Sequence, residues 1–292
     1  MAKIKRLLKL SVILLTTGAF AACSGGSAES PADSGGAENS VVSESTGNSS
    51  ALEGMASSAA SESSSLESSA QTVPPIAPEL DYEWDKVVAL TFDDGPNTTT
   101  TNEVLDVLEK HKVVASFFLV GNNINGESAK SVKRAYDLGC EINNHSKTHG
   151  YMDKMTAEEI KAEFEYVDEK VLEITGEHTK FFRPPYIAVG DLMWENISVP
   201  FISGVGCNDW DNNVSVDRRV AVITKSVKDG SIILMHDAQG NSKTVEAIDK
   251  IIPALKEQGY KFTTVSGLFE AKGVTPVTQM IYSNVTQQSM WG

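Results

Sequence analysis

From Val87 onward, apolar residues recur along the chain in two rhythms. Val87-Val88-Ala89-Leu90-Thr91-Phe92 is a short, nearly continuous apolar run, and Ala115 to Val120 is a second. Runs of this length between polar turns read as strands buried on both faces. Shorter runs follow at Glu141 to Asn143, Phe181-Phe182, Phe201 to Val205, Ser231 to Met235 and Lys261 to Val265. Between them the period becomes that of an amphipathic helix. Ile160, Phe164, Val167, Val171 and Ile174 repeat at 4, 3, 4 and 3 behind the capping box Thr156-x-x-Glu159. Val216, Val220, Ile223 and Val227 form another stripe, and Val245, Ile248, Ile252 and Leu255 one more. Strands alternating with helices predict a parallel α/β architecture, either a barrel or a doubly wound sheet.

The polar residues choose between these two. Asp93-Asp94-Gly95 follows the first strand, and His145 to His149 follows the third. Arg183-Pro184-Pro185-Tyr186, Asn208-Asp209-Trp210 and His236-Asp237 follow the next three. A barrel opens all its strand C-termini on one rim, where catalytic groups collect. A doubly wound sheet would gather them less well, so the barrel is preferred.

The chemistry of that rim can be read residue by residue. His145 and His149 stand four apart, as on one face of a helical turn, and Asp94 supplies a carboxylate from a neighbouring strand. Such a set suits a divalent metal with water in the open positions. Mixed nitrogen and oxygen ligands favour zinc, with cobalt or nickel as substitutes. A bound metal lowers the pKa of its water and polarises a carbonyl. Asp93, the spare carboxylate, would take the water proton, and His236 would protonate the leaving group. Arg183 would keep Asp93 ionised, and Asp209 would raise the pKa of His236. Singly, Arg183 reads as well as a surface ion pair and Asp209 as a cap; jointly, the catalytic reading wins.

Thr91-Phe92-Asp93-Asp94-Gly95, His145-Ser146-x-x-His149, Arg183-Pro184-Pro185-Tyr186, Asp209-Trp210 and Leu234-x-His236 resemble the five ordered motifs of the polysaccharide deacetylases. These are the NodB-homology domains of carbohydrate esterase family four. The resemblance runs from about Lys86 to Gly273 and implies a distorted (β/α) barrel of seven or eight strands that removes acetyl groups from sugars. By the same resemblance Asp93 is the base, His236 the acid, and Asp94, His145 and His149 the metal ligands. It gives Arg183 the task of orienting Asp93, and Asp209 that of tuning His236. The backbone N–H of Tyr186 would help bind the oxyanion, while Trp210 and Leu234 would line the groove and the acetyl pocket. Two positions depart from the family pattern. Gly206 replaces an acid three residues before Asp209, and Ile187 replaces a glycine after Tyr186. Segments around Phe182, Asp209 and Leu234 are also similar to clostridial acetylxylan esterases. The expected substrate is therefore an acetylated polysaccharide: N-acetyl groups of peptidoglycan or a chitin-like glycan, or O-acetyl groups of xylan.

The N-terminal third reads differently. Lys3, Lys5, Arg6 and Lys9 precede an apolar run, Leu10 to Leu15, that is too short to span a bilayer. Phe20-Ala21-Ala22-Cys23 resembles a bacterial lipobox, which makes residues 1–22 a lipoprotein signal peptide and Cys23 the lipidated first residue. Residues 23–80 form a Ser/Gly/Glu linker without an aromatic, expected to be disordered. The deacetylase-like domain is expected over residues 81–273, with 274–292 a tail without a motif. An extracytoplasmic location follows, on the bacterial cell membrane through the lipid anchor only.

Charge follows the same division. Of the formal −14, the first 23 residues carry +4 and Ser24 to Leu80 carry −8, which leaves −10 for the remainder. Such acidity excludes a nucleic-acid binder, which needs a basic face. No G-x-S-x-G elbow or G-x-x-x-x-G-K-[ST] loop occurs, so a serine hydrolase of that type and a P-loop enzyme are excluded as well. A lipid-anchored, catalytically inactive glycan binder is the competing reading. Cys140 and Cys207 are expected as buried thiols, and the protein as a monomer.

Overall fold

The computed structural model describes residues 86–286. The signal peptide, Cys23 and the whole of the linker reading lie outside these residues. Strand β1 (Lys86–Asp93) is central. It pairs in parallel with β2 (Ser116–Leu119) on one side and β5 (Ile232–His236) on the other, and β6 (Tyr260–Thr263) pairs with its first half. Strand β3 (Glu141–Asn144) lies beyond β2. Single bridges continue the ring from Asn144 to Phe182, from Phe182 to Phe201 in β4 (Phe201–Ile202), and from Val205 to Ile233 in β5. The strands thus close into a distorted barrel, as the motif order predicts.

Several elements differ from expectation. Phe181-Phe182 makes a bridge and not a strand, because Pro184 and Pro185 follow at once and lack the N–H a ladder needs. Beyond the expected boundary at Gly273, β7 (Ile281–Tyr282) pairs in parallel with β4, and Ile281, Tyr282 and Val285 are buried. The folded unit therefore runs past 273, and the tail reading is corrected. A two-residue strand carries too little periodicity to be read from sequence.

Helices α1 (Thr100–His111), α2 (Ser128–Asp137), α3 (Ala157–Thr175), α5 (Val216–Ser226) and α6 (Ser242–Glu257) surround the barrel, with short α4 (Asp191–Asn196) and α7 (Val265–Ala271) at its edges. The Thr156–Glu159 capping box forms as its spacing predicts. Val265, expected at the end of a strand, instead opens α7 behind a Thr264 cap. No described helix is long and apolar enough to cross a membrane.

Alternation along the strands positions the site. Val88, Leu90 and Phe92 pack outward against the helices with Leu105 and Ile248. Val87 and Ala89 face the other way, against Phe118, Ile202 and Ile232. With a period of two, Asp93 falls on the same inner face as Val87 and Ala89, at the C-terminal rim. Leu234 and His236 share the inner face with Ile232 for the same reason. Cys140 and Cys207 are free and buried, as expected.

Candidate active site

Asp93 and His236 are register partners on adjacent parallel strands, so both reach the same rim. Asp93 is buried and accepts a hydrogen bond from an Arg183 guanidinium nitrogen at 2.5 Å. Arg183 is itself fully buried, lies 4.1 Å over the Phe118 ring and donates to the carbonyls of Ile202 and Ser203. Burial alone would raise the pKa of Asp93, but the charges of Arg183, His145 and His236 and the Arg183 hydrogen bond hold it below the ordinary carboxylate range. The surface-ion-pair reading of Arg183 fails on its burial.

Asp94 turns out of the strand with φ 74°, the left-handed region that Asp tolerates better than most side chains. Gly95 completes the turn where nothing larger fits. A Cβ there would lie 2.4 Å from Oδ2 of Asp237; that carboxylate accepts from the Gly95 N–H on Oδ1 and from the Thr101 hydroxyl on Oδ2. Burial pushes the Asp237 carboxyl up to about 7.

The two imidazoles meet, but not on a helical turn. Residues 145–149 form a loop with φ 66° at Ser146 and 58° at His149. Three side chains hold it: Asn144 accepts from the Ser146 N–H, Ser146 Oγ from the His149 N–H, and Glu163 of α3 from the Thr148 N–H. The spacing of four arises from side-chain-to-backbone bonds that replace helical ones. Nδ1 of His145 lies 2.6 Å from the Arg183 carbonyl oxygen, a contact that requires the proton on Nδ1 and leaves the Nε2 lone pair facing the carboxylates. Burial pushes the pKa of His145 down against the pull of Asp93 and Asp94, keeping the ring neutral as a metal ligand must be.

Nε2 of His149 lies 3.3 Å, and Nε2 of His145 3.7 Å, from Oδ1 of Asp94. One donor atom from each of the three residues lies within 4.8 Å of the others. Two imidazole nitrogens and a carboxylate oxygen, with a hydrogen-bonded outer nitrogen on His145, fit a divalent cation.

Across the pocket, Nδ1 of His236 lies 2.9 Å from Oδ1 of the fully buried Asp209. Oδ2 of Asp209 accepts from the His236 N–H and the Thr244 hydroxyl. Burial lowers the pKa of His236, but the hydrogen bond and charge of Asp209 outweigh it and carry the imidazole up to about 9. Asp209 therefore caps no helix. Fully buried Arg219 donates to Thr244 Oγ1 and Asn241 Oδ1 behind it. Sequence reasoning missed Arg219, Thr244 and Asn241. Arg219 sits in Asp217-Arg218-Arg219, which reads as a solvated charge run, and no local signal marks it.

These groups line a cavity of about 410 Å3. Asp93, Asp94, His145, His149 and His236 form its polar floor, and Tyr186, Trp210 and Leu234 its walls. Tyr186 has φ 59°, and its N–H donates to no acceptor among the described residues. Trp210 is 64% exposed at the mouth. A Cβ at Gly206 would make only ordinary contacts with Leu234, so the backbone there does not itself demand glycine. Tyr151, unremarked in the sequence, stacks on Tyr186 with ring centroids 4.2 Å apart.

The fold and rim define a parallel α/β barrel carrying an Asp-His-His cluster that could hold a metal ion, between a carboxylate biased towards its ionised form and an imidazole biased towards its protonated form. The family model described as polysaccharide deacetylase matches residues 82–198. The chain is 51% identical over 201 residues to a bifunctional xylanase/deacetylase of Pseudobutyrivibrio xylanivorans, covering 68% of this chain and 33% of that one. It is 36% identical over 196 residues to a peptidoglycan-N-acetylglucosamine deacetylase of Bacillus cereus, covering 64% of this chain and 90% of the relative. A family 4 acetyl xylan esterase from Clostridium thermocellum, solved in complex with a cobalt ion, superposes with a TM-score of 0.68 at 37% identity. That match covers 69% of this chain and 100% of the other. The chain belongs to the polysaccharide deacetylase family. It spans about a third of the Pseudobutyrivibrio relative's length.

Proposed function

We propose that the protein is a metal-dependent hydrolase that removes acetyl groups from a polysaccharide. The observation that carries this reading is the opposed protonation bias of Asp93 and His236, register partners with the triad beside them. Asp94, His145 and His149 would hold the metal, zinc in our reading, which when bound polarises a carbonyl oxygen and lowers the pKa of water. Asp93, kept ionised by Arg183, takes the proton of the attacking water on its carboxylate. The Tyr186 N–H donates to the oxygen that gains charge as the acetyl carbon becomes tetrahedral. His236, protonated at neutral pH, then donates from Nε2 to the leaving sugar nitrogen or oxygen. Nδ1 stays hydrogen-bonded to Asp209 throughout. Leu234 and Trp210 shelter the acetyl methyl and the sugar.

Peptidoglycan or chitin-like N-acetyl groups are one substrate reading, supported by the Bacillus cereus relative. The O-acetyl groups of xylan are the second, favoured by the 51% identity to a xylanase-linked deacetylase and by the Clostridium structure. Acetate release from peptidoglycan, chito-oligosaccharides and acetylxylan, each with and without chelator, separates them. The expected outcome is chelator-sensitive release from one glycan class, restored by zinc, cobalt or nickel. Tight glycan binding with no acetate from any substrate would favour the inactive binder and sink the enzyme reading.

We also propose that the mature chain is anchored outside the cytoplasm through a lipid on Cys23, acting as a monomer. The basic segment, short apolar run and Phe20-Ala21-Ala22-Cys23 support the anchor. Cys23→Ala should lose labelled fatty acid and leave the membrane fraction; a variant still labelled and membrane-bound would refute the anchor.

A further inference from the structure

Behind Asp209 lies a cation that bonds only to neutral groups. Arg219 is fully buried in the opening turn of α5, where the helix dipole disfavours positive charge. Its hydrogen bonds among the described residues all go to uncharged acceptors. Nε donates to the Val214 carbonyl and one terminal nitrogen to the Asp211 carbonyl, each at 3.1 Å. The other terminal nitrogen donates to Asn241 Oδ1 and to Thr244 Oγ1, each at 2.8 Å. A buried cation bonded in this way is a poor means of adding stability.

Asn241 is diverted from its ordinary task in the same place. It stands at the N-cap of α6, where an Asn side chain usually accepts from first-turn N–H groups, yet it makes no such bond. Arg219 takes its Oδ1, and its amide nitrogen donates to the Asp209 carbonyl at 3.1 Å and the His236 carbonyl at 3.0 Å.

Arg219 dictates the direction of these bonds, because a guanidinium has donors and no acceptor. Thr244 must accept from it, so the single hydroxyl proton is left for Asp209 Oδ2, 2.7 Å away. Asn241 must turn its oxygen to Arg219, so both amide hydrogens point at the two carbonyls. A reversed amide would set donor against donor on one side and oxygen against oxygen on the other.

We propose that Arg219 is a positioning residue for the proton donor His236, an inference that rests on the deacetylase reading. It fixes the hydrogen-bond direction of Thr244 and Asn241, and these two hold Asp209 and His236 in one geometry. Thr244 pins Oδ2 of Asp209, which leaves Oδ1 aimed at Nδ1 of His236 at 2.9 Å. Asn241 ties together the backbones of the two residues, and the His236 N–H on Oδ2 completes the frame. Nε2 is thereby held towards the leaving group. Without the guanidinium nothing compels either side chain, and the carboxylate is free to turn.

The test uses the zinc-loaded full chain with Arg219→Met, Arg219→Gln, Thr244→Val, Thr244→Ser and the double variant Arg219→Met/Thr244→Val. It reads acetate kinetics and the downfield proton resonance of the His236 Nδ1–H, assigned by its loss in His236→Gln. Arg219→Met, Arg219→Gln and Thr244→Val should each lower kcat about tenfold or more with KM within about threefold, and move the resonance upfield. Gln can bond again but offers an acceptor as well as donors, so the direction is no longer fixed. Thr244→Ser keeps the hydroxyl and should retain the resonance and a kcat within about threefold of wild type. The double variant should be no slower than Arg219→Met, because Arg219 acts through Thr244. A merely structural Arg219 would lower the melting temperature and leave kcat and the resonance of the folded protein unchanged. That result overturns the proposal, as do multiplied losses in the double variant or a Thr244→Ser as slow as Thr244→Val. Where Arg219→Met does not fold, Arg219→Gln and the two Thr244 variants decide. The resonance is read in the resting protein. A wild type that releases no acetate therefore counts against the deacetylase reading, whereas a resonance unmoved in Arg219→Gln counts against this one.

Discussion

Asp209 and Arg183 set the two protonation states on which the chemistry depends, and each does so by being buried beside one partner. For His236 the sign is definite. Its folded pKa, about 9, lies above the ordinary 6.5. The stabilisation from its pairing with Asp209 is therefore complete below pH 6.5 and is lost as pH rises through 9. The same shift keeps the acid loaded across neutral pH. In Asp209→Asn the charge and carboxylate hydrogen bond of Asp209 are lost and only the attraction of Asp93 and Asp94 remains against burial, so the imidazole should titrate well below 9. We expect the alkaline limb of the kcat–pH profile to move down by two or more pH units, with most activity lost at pH 7.5. An unmoved limb would mean that another group is the acid. Arg183 acts in the opposite direction on Asp93. Its fully buried guanidinium donates to the buried Asp93 carboxylate, and its fork also satisfies the Ile202 and Ser203 carbonyls. Lys could not supply those bonds together.

Among the elements, strands set direction and turns set aim. The inner face of β1 delivers Asp93, but Asp94 reaches the imidazoles only because the chain turns left-handed there and Gly95 lets it lie against Asp237. Gly95→Ala should displace this turn. We expect a loss of stability of about 1–3 kcal/mol, the usual range for overpacking, and weaker zinc binding by competition titration. Normal zinc affinity in that variant would show that Asp94 does not depend on the turn. The loop after β3 depends likewise on α3, whose Glu163 holds Thr148. The capping box that starts α3 and the stripe that packs it were legible in sequence, because both are local patterns with a fixed period. The loop was not. His145-x-x-x-His149 has helical spacing, and only bonds from Asn144, Ser146 and Glu163, one of them 15 residues away, decide otherwise.

The whole domain is a barrel completed by weak links, with single bridges at Phe182 and Val205 and two-residue strands at β4 and β7. Its C-terminal segment is part of that closure. Removal of residues 274–292 should strip β7 from β4 and expose Phe269, against which Tyr282 packs edge-on at 4.9 Å. We expect the shortened protein to be insoluble or to melt at least several degrees lower; an unchanged melting temperature would place the segment outside the fold. The sequence by itself determined the alternation of strand and helix and the rim on which the polar clusters fall. Those features are periodic or contiguous, so neighbours along the chain suffice to reveal them. Tertiary structure alone decided that Arg219 and Thr244 stand behind Asp209, that Asp237 lies under Gly95, and that β7 closes on β4. Each depends on contacts between segments far apart in sequence, where burial changes the energy of a charge or a backbone angle and no local pattern records it.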